Sequence, residues 1–80
     1  MDINKKDALA PFQIRSYGRT ELAELYNPQV APETAWRKLR AWIKKYPGMI
    51  DNLIAAGYKM GQRTFTPMQV KIIVDGIGEP

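Results

Sequence analysis

Cysteine and histidine are both absent from this chain of 80 residues. Without cysteine there are no disulfide staples and no thiolate metal sites. Without histidine the usual zinc ligands are missing, and so is the commonest general base at neutral pH. No apolar run approaches the roughly 18 residues needed to span a bilayer, so no membrane partner is expected. The opening stretch Met1-Asp2-Ile3-Asn4-Lys5-Lys6-Asp7 lacks the apolar segment of a signal peptide, so a cytoplasmic protein is expected. There is no glycine-rich phosphate loop and no nucleophile motif. The acids Asp2, Asp7, Glu21, Glu24, Glu33, Asp51, Asp75 and Glu79 are scattered and pair into no acid–base site. No enzyme activity, cofactor or metal is therefore expected. A domain this small buries only about 60 % of the surface its unfolded chain exposes. Its core must come from aliphatic and aromatic packing alone.

Charge is present, and it is concentrated. Between Glu33 and Tyr46 stand five basic residues, Arg37, Lys38, Arg40, Lys44 and Lys45, against the single acid Glu33. Met1–Pro32 carries four basic and four acidic residues, and Pro47–Pro80 carries three of each. The formal net charge of +4 thus belongs to one segment. A neutral body presenting one basic helix is the electrostatic outline of a nucleic-acid reader.

Local signals divide the chain. Residues 1–11 read as a flexible N-terminal tail ending at Pro11, and residues 12–80 as a single domain. Phe12–Tyr17 alternates apolar and polar residues, which predicts a short strand. Leu22, Leu25 and Tyr26 fall at i, i+3 and i+4, the apolar face of a short helix over Gly18–Tyr26. Gly18 serves as its N-cap, Glu21 suits its dipole, and Asn27-Pro28 stops it. Pro32 opens the next helix, which runs to Tyr46. Its apolar stripe is Ala35, Leu39, Trp42, Ile43 and Tyr46, with Trp36 at one border. Glu33, Arg37, Arg40 and Lys44 lie opposite, and Thr34, Lys38, Ala41 and Lys45 form one flank. Met49–Ala56 predicts two further helical turns closed by Gly57 as the C′ residue. Gly57–Thr66 reads as a β-hairpin turning at Gly61-Gln62, with Tyr58 opposite Phe65. Thr66-Pro67-Met68-Gln69 is a capping box, and Val70, Ile73, Val74 and Ile77 are the buried face of the helix it opens. Gly76 and Gly78 are expected to fray that helix. The fold class expected is mainly α with a small β-hairpin, in the manner of a winged helix-turn-helix.

That order of elements carries a functional expectation. In a helix-turn-helix the first helix braces the second, whose N-terminal side chains enter a major groove about 12 Å wide. Glu33, Thr34, Arg37 and Lys38 stand near that end. Lys44 and Lys45, further along, suit phosphates, and Lys59 and Arg63 on the hairpin suit phosphates or the minor groove if it acts as a wing. The expected partner is double-stranded DNA, with a homodimer or a protein partner supplying the rest of a specific site. The plainer reading is a basic solvated helix in a small bundle with an edge hairpin closing the core. The functional rival is a protein-interaction adaptor that docks an acidic partner through Trp36 and the basic face. Most aromatics fall on core-facing positions, which argues against base stacking.

Three segments resemble the MerR-type winged helix-turn-helix. Arg19-Thr20-Glu21-Leu22-Ala23 is similar to its first helix, and Val30-Ala31-Pro32-Glu33-Thr34 to the entry of its recognition helix. Gly57-Tyr58-Lys59 with Arg63-Thr64-Phe65-Thr66 resembles its wing. The resemblance implies recognition-helix contacts at Thr34 and Arg37 and wing contacts at Lys59 and Arg63. The chain departs from that pattern in a longer turn at Asn27-Pro28-Gln29, in Trp36 where the family usually has an arginine, and in a longer stretch Lys44–Ala56. The whole chain more closely resembles a family of short uncharacterised proteins of gut bacteria. Phe12–Pro28, Ala41–Lys44, Gly57-Tyr58 and Phe65–Pro80 match its shared pattern. That resemblance implies kinship and no activity.

Overall fold

A computed structural model describes residues 12–80. The tail expected over 1–11 lies outside the described residues. The elements run β1 (Tyr17–Gly18), α1 (Arg19–Tyr26), α2 (Pro32–Lys45), α3 (Met49–Ala55), β2 (Thr64–Phe65) and α4 (Pro67–Ile77). The described chain is mainly helical with one two-stranded antiparallel unit, compatible with a small winged-helix-like domain.

Helix α1 begins because its first turn is stapled from outside. The Gly18 N–H donates to Glu21 Oε1 at 3.1 Å, and Arg15 Nη2 donates to Glu21 Oε2 at 3.1 Å. The Arg15 hydrogen bond, then that of Gly18, holds the Glu21 carboxyl below its ordinary pKa. Leu22 and Ala23 are buried, and Tyr26 is half-buried with its hydroxyl donating to the Gly78 carbonyl. Leu25, expected on the apolar face, is 45 % exposed. A helix of two turns has one inward face, and Leu22, Ala23 and Tyr26 already fill it.

Helix α2 starts at Pro32, with Ala31 as an extended N-cap. Ala35, Leu39 and Ile43, spaced i, i+4, i+8, form its buried row. The stripe is narrower than expected. Trp42 and Tyr46 remain 39 % and 43 % exposed. The pairing of α1 with α2 is the most extensive in the fold. Small residues on both helices, Ala23 and Ala35, sit in the shared core and permit a close approach.

Helix α3 ends as its glycine predicts. The Tyr58 N–H donates to the Leu53 carbonyl and the Gly57 N–H to the Ile54 carbonyl, both at 2.9 Å, with Gly57 at φ +91°. This is the Schellman arrangement, which glycine adopts without a Cβ penalty.

The segment after it is not the expected hairpin. Thr64 pairs with Gly18 and Phe65 with Tyr17, so β2 pairs with the distant β1 and not with residues 58–60. Strand β1 itself is two residues long and not the six expected over Phe12–Tyr17. Residues 58–63 form a loop braced from within by the Gln62 side chain. Its Oε1 accepts from Lys59 N at 3.0 Å, and its Nε2 donates to the Thr64 carbonyl at 2.6 Å. Those local bonds replace a cross-strand ladder. The aromatic pair survives without one: the Tyr58 and Phe65 rings stack at 5.7 Å.

Helix α4 opens with the capping box. Gln69 N donates to Thr66 Oγ1 at 3.3 Å, and Thr66 N donates to Gln69 Oε1 at 3.0 Å. Gln69 also reaches away from its own helix. Its Oε1 accepts from Gln62 Nε2 at 2.6 Å, and its Nε2 donates to the Ala56 carbonyl at 3.1 Å. Gly76 does not fray the helix, which continues to Ile77. A Cβ at Gly76 would collide with the Met49 side chain and lie 3.3 Å from the Tyr46 ring. Glycine there lets α4 lie close against the start of α3.

The eleven buried apolar residues (Tyr17, Leu22, Ala23, Ala35, Leu39, Ile43, Met49, Leu53, Phe65, Val70 and Ile73) form one cluster that draws on every element. Gln69 is the one buried polar side chain among the described residues. Replacing it with leucine strands the Ala56 carbonyl and the Thr66 N–H. Urea unfolding should show Gln69→Leu destabilised by about 2–3 kcal/mol, the penalty for unsatisfied buried groups; an unchanged midpoint would mean that water or rearrangement satisfies them. Burial, with Glu79 adding to it, pushes the Tyr26 hydroxyl up to about 12 from 10.0. A pKa raised on folding gives stability that is full below the unfolded value and lost as pH rises through the folded one. The stability advantage of the native chain over Tyr26→Phe should therefore be constant below pH about 10 and shrink towards about 12. A gap that does not change with pH would break this link.

Candidate nucleic-acid interface

The basic row of α2 follows from helix periodicity. With Ala35, Leu39 and Ile43 turned inward, Arg37, Ala41 and Lys44 project from the opposite side. Arg37, Arg40, Ala41 and Lys44 together line a shallow depression of about 210 Å³. All five cations of α2 are exposed. Among the described residues the ion pairs are Arg15–Glu21 at 3.1 Å and Lys71–Asp75 at 2.9 Å, and neither involves α2. Like charges three and four residues apart destabilise a helix by about 0.2–0.5 kcal/mol per pair. The row is thus a standing electrostatic cost that a polyanion would relieve.

The predicted site residues divide into two groups. Arg37 and Lys44 come together in the depression. Thr34, half-buried in the first turn of α2, and exposed Lys38 lie along its flank. Lys59 and Arg63 are exposed on the 58–63 loop and line neither that depression nor the cleft beside it. The loop is anchored to the start of α1, where Arg19 N donates to the Arg63 carbonyl at 2.8 Å. Its residues Tyr58, Met60 and Gly61 join Arg19, Trp36 and Arg40 around a cleft of about 190 Å³.

Two arginines absent from the predicted set stand at this surface. Arg40 lines both hollows, and its signal was present in its three-residue spacing from Arg37. Arg19 lies with its guanidinium 5.2 Å from the centre of the Trp36 ring. Nothing local in the sequence connects those two residues. Trp36 is half-buried and tilted against Phe65 at 6.0 Å, so it is a wall between the core and the cleft. The more exposed indole is Trp42, set edge-on to Tyr26 at 6.2 Å.

Among the described residues no three acidic side chains gather where a metal ion could be held, and no helix is long and apolar enough to cross a membrane.

The family model "Domain of unknown function (DUF4248)" matches residues 13–80, so the chain belongs to that family. No curated protein and no solved structure matches it.

Proposed function

We propose that this member of the DUF4248 family is a small non-enzymatic DNA-binding protein, a transcriptional regulator or an accessory factor in DNA rearrangement. Helix α2 enters the major groove and the segment 57–66 flanks it as a wing. The observation that carries this reading is the row Arg37, Arg40 and Lys44, gathered on one exposed helix face with no acidic partner among the described residues. A solvated surface helix gains by interleaving acids with such a row; here the one acid on that face, Glu33, stands at its start and makes no ion pair with it among the described residues.

Support comes from how the helix is held. Helix α1 packs across α2 through Leu22 and Ala23, on the side away from the exposed basic residues. Arg37 is the residue suited to reading guanine bidentately, and Thr34 to a base edge or a phosphate. Lys38 and Lys44 suit phosphates of the flanking backbone, and exposed Lys59 and Arg63 suit phosphates or the adjacent minor groove. The likeness to MerR-type winged helices supports the same docking. One module of this size reads few base pairs, so specific binding calls for a homodimer or a protein partner. In the adaptor reading Trp36 anchors an acidic partner. The engagement of Trp36 by Arg19 and Phe65 leaves less of that ring to offer.

Fluorescence anisotropy with random-sequence duplex tests this reading. Binding should be micromolar at about 50 mM salt and collapse by about 200 mM, with a log–log slope of about −2.7 to −4.5 for some three to five neutralised phosphates. Absence of binding at both salts would overturn the proposal. On a selected site Arg37→Ala should weaken binding by about 1–3 kcal/mol, as loss of a bidentate base contact does. Its unfolding midpoint should stay within about 0.5 kcal/mol, because Arg37 supports no packing.

A further inference from the structure

The cleft between α1, α2 and the 58–61 loop has a chemistry of its own. Arg19 is the first residue of α1, and Arg40 stands one turn beyond Trp36 on α2. Both residues line the cleft, with Trp36, Tyr58, Met60 and Gly61 completing it and no carboxylate among the described residues that line it. Two arginines therefore border one hollow without an acid between them among the described residues. Arg19 is also pre-positioned, because its guanidinium rests over the Trp36 ring at 5.2 Å.

The walls restrict what can enter. One face of Trp36 carries Arg19, and the ring is tilted against Phe65 at 6.0 Å. The Tyr58 ring is stacked on Phe65 at 5.7 Å. One face of Tyr58 is thus taken by Phe65 and one of Trp36 by Arg19. The hollow is about 190 Å³, below the roughly 300–1,000 Å³ of small-molecule sites. A single tetrahedral oxyanion suits that size, and guanidinium forks match its oxygens. Arg40 also lines the depression beside Arg37 and Lys44, so the cleft continues the basic face of α2.

We infer that this cleft is a binding site for one phosphoryl group, held jointly by Arg19 and Arg40 and supplied by the backbone of the bound duplex next to the groove that α2 occupies. The inference rests on the DNA-binding reading for the source of the phosphate, and on the cleft alone for its chemistry. It gives Arg19 and the loop a role in docking. One backbone phosphate clamped between the two helices fixes the angle at which α2 meets the groove.

The test uses the full chain with Arg19→Gln, Arg40→Gln and the double variant, each checked for folding by its amide spectrum. Duplex affinity is measured by anisotropy from about 50 to 200 mM salt. Each single substitution should flatten the salt slope by about 0.9, so that the loss of affinity over that range becomes about 3.5-fold smaller. The double variant should flatten it by about the same 0.9, because both arginines hold one phosphate. Arg19→Lys should restore most of the slope. In a second arm, inorganic phosphate is titrated while the Trp36 indole and Gly61 amide signals are followed. They should shift in the native chain and not in the double variant.

Duplex binding with a slope indifferent to Arg19→Gln would overturn the inference, as would a double variant that loses twice the slope of either single. Phosphate-dependent shifts without duplex binding would support the anion site and overturn the duplex as its source, along with the DNA-binding reading. Silence in both arms would overturn the site and the reading together.

Discussion

One buried amide sets the arrangement of the second half of this chain. Gln69 accepts from Thr66 N and from Gln62 Nε2, and donates to the Ala56 carbonyl. Those three partners belong to the start of α4, the 58–63 loop and the end of α3. Hydrophobic burial is non-directional, and a small core of aliphatic and aromatic residues admits more than one packing. A buried amide tied by hydrogen bonds to three separate partners admits far fewer, because each of those partners costs free energy if left alone. With the start of α4 held against the end of α3, Phe65 falls opposite Tyr17, and its ring meets Tyr58 and Trp36. The loop then lies along the Trp36–Arg40 side of α2. The position of the wing-like segment beside the basic helix thus depends on a side chain that never approaches that surface.

The first half is organised by a division of labour around α2. Its inner row is narrow, because Ala23 and Ala35 bring α1 close and little width remains to bury. That narrowness leaves Trp42 and Tyr46 at the surface and gives most of the helix circumference to charged residues. The same packing braces α2 along its inner row. A braced helix presenting clustered cations loses less entropy on meeting a polyanion than a flexible one would. The narrow core and the broad basic face are two results of one choice of small residues.

What the sequence made legible was local. Pro32 marked the start of α2, Thr66 with Gln69 marked the cap of α4, and Gly57 marked the end of α3, because each signal acts within one turn of backbone. The basic row was legible for the same reason, being a matter of three- and four-residue spacing. The partner of β2 was not, since Tyr17 and Phe65 are joined by packing across the whole domain. The exposure of Leu25 depends on which face of α1 meets its neighbours, and periodicity alone assigns it inward. Gly76 read as a helix breaker when its role is the space it leaves for Met49 and Tyr46. Gln69 reads locally as half of a capping box, and its bonds to Ala56 and Gln62 appear only when α3 and the loop are in place. The pairing of Arg19 with Trp36, and with it the cleft, belongs to that same long-range class.

Stability and recognition are coupled in a domain of this kind. Folded domains hold only about 5–15 kcal/mol in reserve, and a small one sits towards the low end of that range. The cations of α2 repel one another over the spacing that a duplex backbone would neutralise, so part of that reserve is spent in the free protein. A ligand that binds only the folded state returns stability by mass action, about 2.7 kcal/mol at one hundred times its dissociation constant. Acids interleaved among Arg37, Arg40 and Lys44 would remove the repulsion and would also remove the charge that draws the polyanion in. Among the described residues the row makes no ion pair, so its repulsion stands in the free protein. The Arg19–Arg40 cleft repeats this on a small scale, with two arginines and no carboxylate among the described residues that line it.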